Sequence, residues 1–136
     1  MEPAGHAACR FFLEIEGISV GGFVSCSGLG ARTEEIQYAE GGGEEVRSFR
    51  GQTFHSNLVL ERGISRSSEL YDWFSSGDRR DGAVVLLSPE GREVLRWNFS
   101  RGWPCRWEGP ALDAWTGGVA LERLEIAHEG LQWVER

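Results

Sequence analysis

The residues able to do chemistry in this chain are few, and their spacing suits none of the common reactions. His6, His55 and His128 form neither an HxH nor an HxxxH pair, and none lies near a cysteine, so metal-ligand spacing is absent. Cys9, Cys26 and Cys105 are odd in number and widely spaced, with no CxxC, which fits reduced, buried thiols better than a disulfide framework or a zinc site. The serines include no GxSxG elbow. The run Gly41-Gly42-Gly43 is not followed by Lys-Ser/Thr and opens no periodic helix, so it reads as a flexible hairpin loop rather than a phosphate cradle. Asp78 and Asp81 flank Arg79-Arg80, a mixed-charge pattern usual for a solvated loop. No catalytic, cofactor-binding or metal residue is assigned, and an enzyme is not expected.

One stretch resembles an active site more closely. In "VALERLEIAHEGL", residues 119–131, Leu121, Leu124, His128 and Leu131 recur at roughly helical spacing, with His128 beside Glu129. Read as a strand, Leu124, Ile126 and His128 share one face, and Arg123, Glu125 and Ala127 the other. A strand sends His128 and Glu129 to opposite faces, where they cannot act as one acid–base pair. The strand reading is adopted, ending at Gly130, with a bulge between Leu121 and Leu124 absorbing the out-of-phase leucines.

The elements that would position these residues follow from composition and periodicity. At 136 residues the chain makes one domain, residues 1–136, large enough for a core without staples. Hydrophobic residues at 40% and charged residues at 26% are ordinary for a soluble globular protein. No stretch reaches the apolar length of a membrane span, and the N-terminus lacks a secretory pattern, so the cytoplasm is the expected compartment. A net charge of −7 argues against nucleic-acid binding. All basic residues are arginine. Six tryptophans, Trp73, Trp97, Trp103, Trp107, Trp115 and Trp133, indicate either an aromatic-rich core or an interface.

Along the chain, "RFFLEIEG" alternates as a half-buried strand, and "ISVGGFVSCSGLG" reads as a second strand bent at Gly21-Gly22. "RTEEIQYAE" places Glu34, Ile36 and Tyr38 on one face, "GGGEE" is a flexible acidic connection before the strand-like "VRSFRG", and "FHSNLVLERG" is a further strand. The one helix lies in "SRSSELYDWFSSG", with Leu70, Trp73 and Phe74 on one side, Ser65 or Ser67 as its cap and Gly77 after its end. "GAVVLLSPEGREVLRWNFS" is a hairpin about a type I turn at Ser88–Gly91. "WPCRWEG" is another short strand, and "GPALDAWTGG" a loop. Many short strands with one helix predict a mainly β sandwich or small barrel.

The ordered motifs "RFFLEIEG", "GGFVSCSGL", "EEIQYAEGG", "LVLERGIS", "SSELYDWF", "WNFSRGWPCRWEGPALDA" and "LERLEIAHEGL" together resemble the tube proteins of contractile tails, over about residues 10–134. The resemblance implies a tail-tube β-barrel or sandwich with one short flanking helix, assembled as hexameric rings stacked into the inner tube of a phage tail or contractile injection system. It implies a sheath, baseplate and spike proteins as partners, protein or DNA cargo in the lumen, no cofactor, and assembly in the bacterial cytoplasm. A tube-initiator paralogue nearer the baseplate and, from a different class, a monomeric β-barrel that binds a ligand are the alternatives. Residues 1–9 depart from the family pattern and form an N-terminal arm.

Within that frame, residues 40–51 together are offered as a long flexible loop for ring-to-ring contacts, and Gly41, Gly42, Gly43, Glu44, Glu45, Arg47 and Arg50 are the candidates for ring stacking. Trp103, Trp107, Trp115, His128 and Glu129 are candidates for contacts between subunits. Glu14 and Glu16 are candidates for the lumen, where an acidic lining would repel acidic cargo.

Overall fold

A computed structural model describes residues 10–39, 41–42, 45–115 and 117–135. The expected N-terminal arm, Gly43 and Glu44 lie outside the described residues. The chain runs β1 (Arg10–Ile15), β2 (Ile18–Val20), β3 (Phe23–Ser27), β4 (Ala31–Ala39), β5 (Val46–His55), β6 (Leu58–Gly63), α1 (Glu69–Ser76), β7 (Arg80–Leu87), β8 (Glu93–Glu108), β9 (Leu121–Ala127) and β10 (Gly130–Glu135).

All pairings are antiparallel, in the order β2-β1-β7-β8-β9-β6-β3, with β10 also on β8 and β4-β5 as a separate two-stranded ribbon. The 16-residue β8 belongs to both layers: its first half pairs with β7 and β10, its second half with β9. The expected short strand at "WPCRWEG" is therefore the continuation of β8. Arg101, at φ 49°, and the neighbouring Gly102 mark where it changes partners. The Phe99 ring lies against Gly82 and Gly102, and a Cβ on either glycine would overlap it. The described strands fold into a sandwich that stays open, since β2 and β3 end the path without pairing to each other.

Alternation sets the core. Leu13, Ile15, Leu58, Leu60, Val84, Phe99, Leu124 and Ile126 point between the layers, and α1 adds Leu70 and Trp73. The helix begins after Ser68, not Ser65 or Ser67; the Ser65 hydroxyl instead accepts the Ser67 N–H, and the Ser68 hydroxyl reaches Asp72. Gly77 closes it in the left-handed region with its N–H on the Trp73 carbonyl. The turn at Ser88–Gly91 forms as expected, Gly91 N–H donating to the Ser88 carbonyl.

Two expectations about the C-terminal stretch are corrected. The strand ends at Ala127, and Gly130 opens β10, because the Glu129 N–H leaves the β9 direction to bond the Ser100 carbonyl. The register of β9 on β6 is unbroken from Leu121 to Ile126, so the bulge lies in β8, between Pro104 and Arg106. Leu124 is in the core, while Leu121 points the other way and is only half-buried. The segment 40–51 is likewise not one long loop: β4 runs to Ala39 and β5 begins at Val46, placing Arg47 and Arg50 on a strand.

Candidate functional site

An open groove of about 560 Å³ lies on β1, β7, β8 and β10, lined by Glu14, Glu16, Asp81, Arg96, Asn98 and Gln132 among others. Glu14 accepts both terminal nitrogens of Arg96, at 2.8 and 3.3 Å, and Arg96 also binds Glu93. Hydrogen bonds to Glu93 and Glu14 hold the guanidinium above its ordinary pKa despite partial burial. Asp81 accepts the Arg101 backbone N–H at 2.9 Å. Glu16 sits in the β1–β2 turn at φ 49°.

A buried charge network lies inside the body. Arg62 Nε donates to Glu122 at 2.6 Å and Nη1 to Glu69 at 2.8 Å, while the Trp107 indole donates to the other Glu122 oxygen at 2.9 Å. Burial works against the Arg62 charge, but the bonds to Glu69 and Glu122 outweigh it and raise its pKa. This network stitches β6, β9, β8 and α1 together. Glu122 was not singled out from sequence, yet its place two residues before Leu124 on the inward face was the available signal.

The β4–β5 ribbon differs in kind. It pairs with no other strand among those described. A register shift between Thr33 and Glu35 keeps Arg32, Ile36 and Tyr38 on the same face as Phe54, Phe49 and Arg47. On this face Arg32 stacks over Phe54 at 4.6 Å, and Tyr38 meets Phe49 edge-on at 6.4 Å. The opposite face is polar: Thr33 bonds Thr53, Ser48 donates to Glu35 at 2.6 Å, and Arg50 stands opposite Glu35. The apolar face is uncovered, with Ile36 45%, Tyr38 52% and Phe49 51% exposed. Sequence alternation had placed Ile36 and Tyr38 together; their cross-strand partners needed the register.

The ribbon is fixed at its root. Ser56 N–H donates to the Gly30 carbonyl at 3.1 Å, and His128 Nε2 meets the Ser56 carbonyl at 3.0 Å. Gly28, at φ 90°, lies so close to the Asn57 carbonyl that any Cβ would overlap it. The His55 and His128 rings stand 5.5 Å apart, with Phe99 6.2 Å from His128. His128 therefore faces the ribbon root, while Glu129 turns away to Arg79 and Arg101 at 3.3 and 3.0 Å. Burial is the main reason the His128 pKa lies below its ordinary value.

The tryptophans divide between buried and exposed positions. Trp73 is core, its indole on the Asp78 carbonyl at 2.8 Å. Trp107 is engaged within the subunit, through Glu122 and an edge-on contact with Tyr71. Trp103 lies under Arg79, Trp97 pairs with Trp133, and Trp115 is 97% exposed on a loop beside exposed Leu112 and Val119. Burial pushes the Cys26 thiol up to about 11, and Cys105 is also raised, first by burial and then by Glu125, so neither is an activated nucleophile.

Residues 7–132 match the family model described as the T4-like virus tail tube protein gp19. The chain belongs to that family. This tail tube protein is similar in fold to a chain of the sheath-tube complex of an extracellular contractile injection system, PVC, in its extended state: TM-score 0.88 at 23% identity, covering 98% of this chain and 93% of that one. It is similar to the tube-terminating cap of the anti-feeding prophage at TM-score 0.88 and 21% identity, covering 100% and 95%. Hcp1 from Flavobacterium johnsoniae shares the fold at TM-score 0.63 and 15% identity, covering 93% and 96%. No individually curated protein matches in sequence.

Proposed function

We propose that this tail tube protein forms hexameric rings that stack into the hollow inner tube of a contractile particle, with the β4–β5 ribbon docking on a neighbouring copy. The observation that carries this is the ribbon's bare apolar face. A two-stranded ribbon is at best marginally stable alone in water, so its uncovered side needs a partner surface. Fully burying an Ile or Phe side chain contributes about 1.5–3 kcal/mol, so covering the exposed parts of Ile36, Phe49 and Phe54 adds about 3 kcal/mol per contact. A contact between two different patches is heterologous, and such contacts build rings when they close and filaments when they do not.

In this reading Gly41, Gly42, Gly43, Glu44 and Glu45 are the candidates for contact with the next ring, together with Arg47 and Arg50 on β5. Trp103, Trp115 and Glu129 stay candidates for contacts between subunits, Trp107 contributes only its uncovered edge, and His128 acts from the ribbon root. Glu14 and Glu16 keep a lumen role as a proposal; with Glu14 matched by Arg96, Glu16 supplies the less compensated charge. Sheath and baseplate proteins are the outer partners, and cargo passes through the lumen without chemistry. The similarity to sheath–tube and baseplate assemblies supports those partners.

Electron microscopy of the purified protein tests the reading: rings or tubes are expected. Deleting residues 41–45 should leave a folded domain that makes short tubes or none. A strictly monomeric wild type, or normal tubes from the deletion, would remove it.

A further inference from the structure

The ribbon's root carries a cluster that its docking does not require. His55 ends β5, His128 follows β9, and between them Ser56 and Asn57 lead into β6. A carbonyl only accepts, so the 3.0 Å contact to the Ser56 oxygen places a proton on His128 Nε2 and leaves Nδ1 bare in the neutral ring. Nδ1 of His128 and Nδ1 of His55 are both buried with no hydrogen-bond partner. The charged groups of the surrounding elements offer an added proton little support. Arg79 and Arg101 both point at Glu129, Asp81 accepts the Arg101 backbone N–H, and Arg32 on β4 stacks on Phe54.

We propose that His128, packed on His55, forms an acid-released latch, which fixes the direction of the β4–β5 ribbon while the His128 ring is neutral and frees it when that ring takes a proton. A proton added to His128 must sit on a buried Nδ1 that makes no hydrogen bond, beside the His55 ring at 5.5 Å and the Phe99 ring at 6.2 Å, where the Gly130 backbone favours the charge but burial outweighs it. The His128 pKa, lowered first by burial, fits this direction. The latch is complete above the ordinary histidine range of about 6.5 and is lost as pH falls through the lowered value. Its consequence, that acid weakens tube assembly, rests on the ribbon-docking reading.

Hydrogen exchange of the full-length protein at pH 7.5 and 5.5, corrected for intrinsic rates, reads the latch directly. Protection at Ser56 and along the paired ends of β4 and β5 should fall by about fivefold at pH 5.5, the low end of what an unpartnered buried donor costs, since the rings are half-buried. His128→Gln keeps a donor toward the Ser56 carbonyl without titrating, so the acid effect should vanish; His55→Phe keeps the ring contact and leaves His128 in place, so the effect should remain. Equal wild-type protection at both pH values, or an acid effect surviving in His128→Gln, overturns the latch. Micrographs at the same two pH values separate the readings. Absence of rings at pH 7.5 counts against docking and leaves the exchange result standing. Released roots with unchanged tubes at pH 5.5 overturn the regulatory role.

Discussion

The sandwich body and the β4–β5 ribbon are made by the same alternation of residues but stand in opposite conditions. In the body, the inward faces of the two layers meet, and Leu58, Leu60, Leu124 and Ile126 are fully buried. In the ribbon, Ile36, Tyr38 and Phe49 form an equally regular face that is left about half exposed among the described residues. Alternation therefore marks which side seeks cover, and says nothing about whether the cover comes from the same molecule. The body is stabilised on its own; the ribbon is suited to association.

The largest effect that would test this contrast lies in the body's charge network. Glu122→Ala leaves Arg62 buried beside only Glu69 and strips the Trp107 indole of its acceptor. Removing one partner of a buried pair costs about 3–5 kcal/mol. Denaturant unfolding should show that loss as a lower midpoint. A change within about 0.5 kcal/mol, the range of ordinary surface substitutions, would mean the network is not what ties α1 to the sheets. A smaller loss is expected at Trp73→Phe, which keeps the core ring but leaves the Asp78 carbonyl without its donor. About 1 kcal/mol is the ordinary worth of such a bond, measured by the same unfolding curve.

Much of the body was legible because its signals are local. The helix at Leu70 and Trp73, the turn at Ser88–Gly91 and the strand character of Leu124 and Ile126 each follow from a few consecutive residues. What was not legible depends on distant partners. The continuity of β8 through Arg101 is set by β7 and β10 on one half and β9 on the other. Glu122 is buried because Arg62 lies opposite it on β6. His128 looked catalytic only because Glu129 follows it; its actual neighbours are His55, Phe99 and the Ser56 carbonyl, none near it in sequence. The resemblance of ordered motifs supplied the tube family, which no spacing of chemical residues contains.

The smallest effect on stability should accompany the largest effect on assembly, and it sits in the ribbon. In the double variant Tyr38→Thr, Phe49→Thr, threonine keeps the strand preference of the backbone while removing the edge-on aromatic pair. Both side chains are about half exposed and touch no part of the body's core cluster. Unfolding of the body should therefore shift by no more than about 0.5 kcal/mol, as for other surface positions. If the bare face is a docking surface, the same protein should remain monomeric in sedimentation while the wild type forms rings or tubes. Exchange protection along β4 and β5 reports whether the ribbon itself still forms, which separates a lost contact from a melted hairpin. Rings from a variant with an intact ribbon and no aromatic pair would show that the polar face or the tip carries the association, and the contrast between body and ribbon would have to be redrawn around Glu35, Ser48 and Arg50.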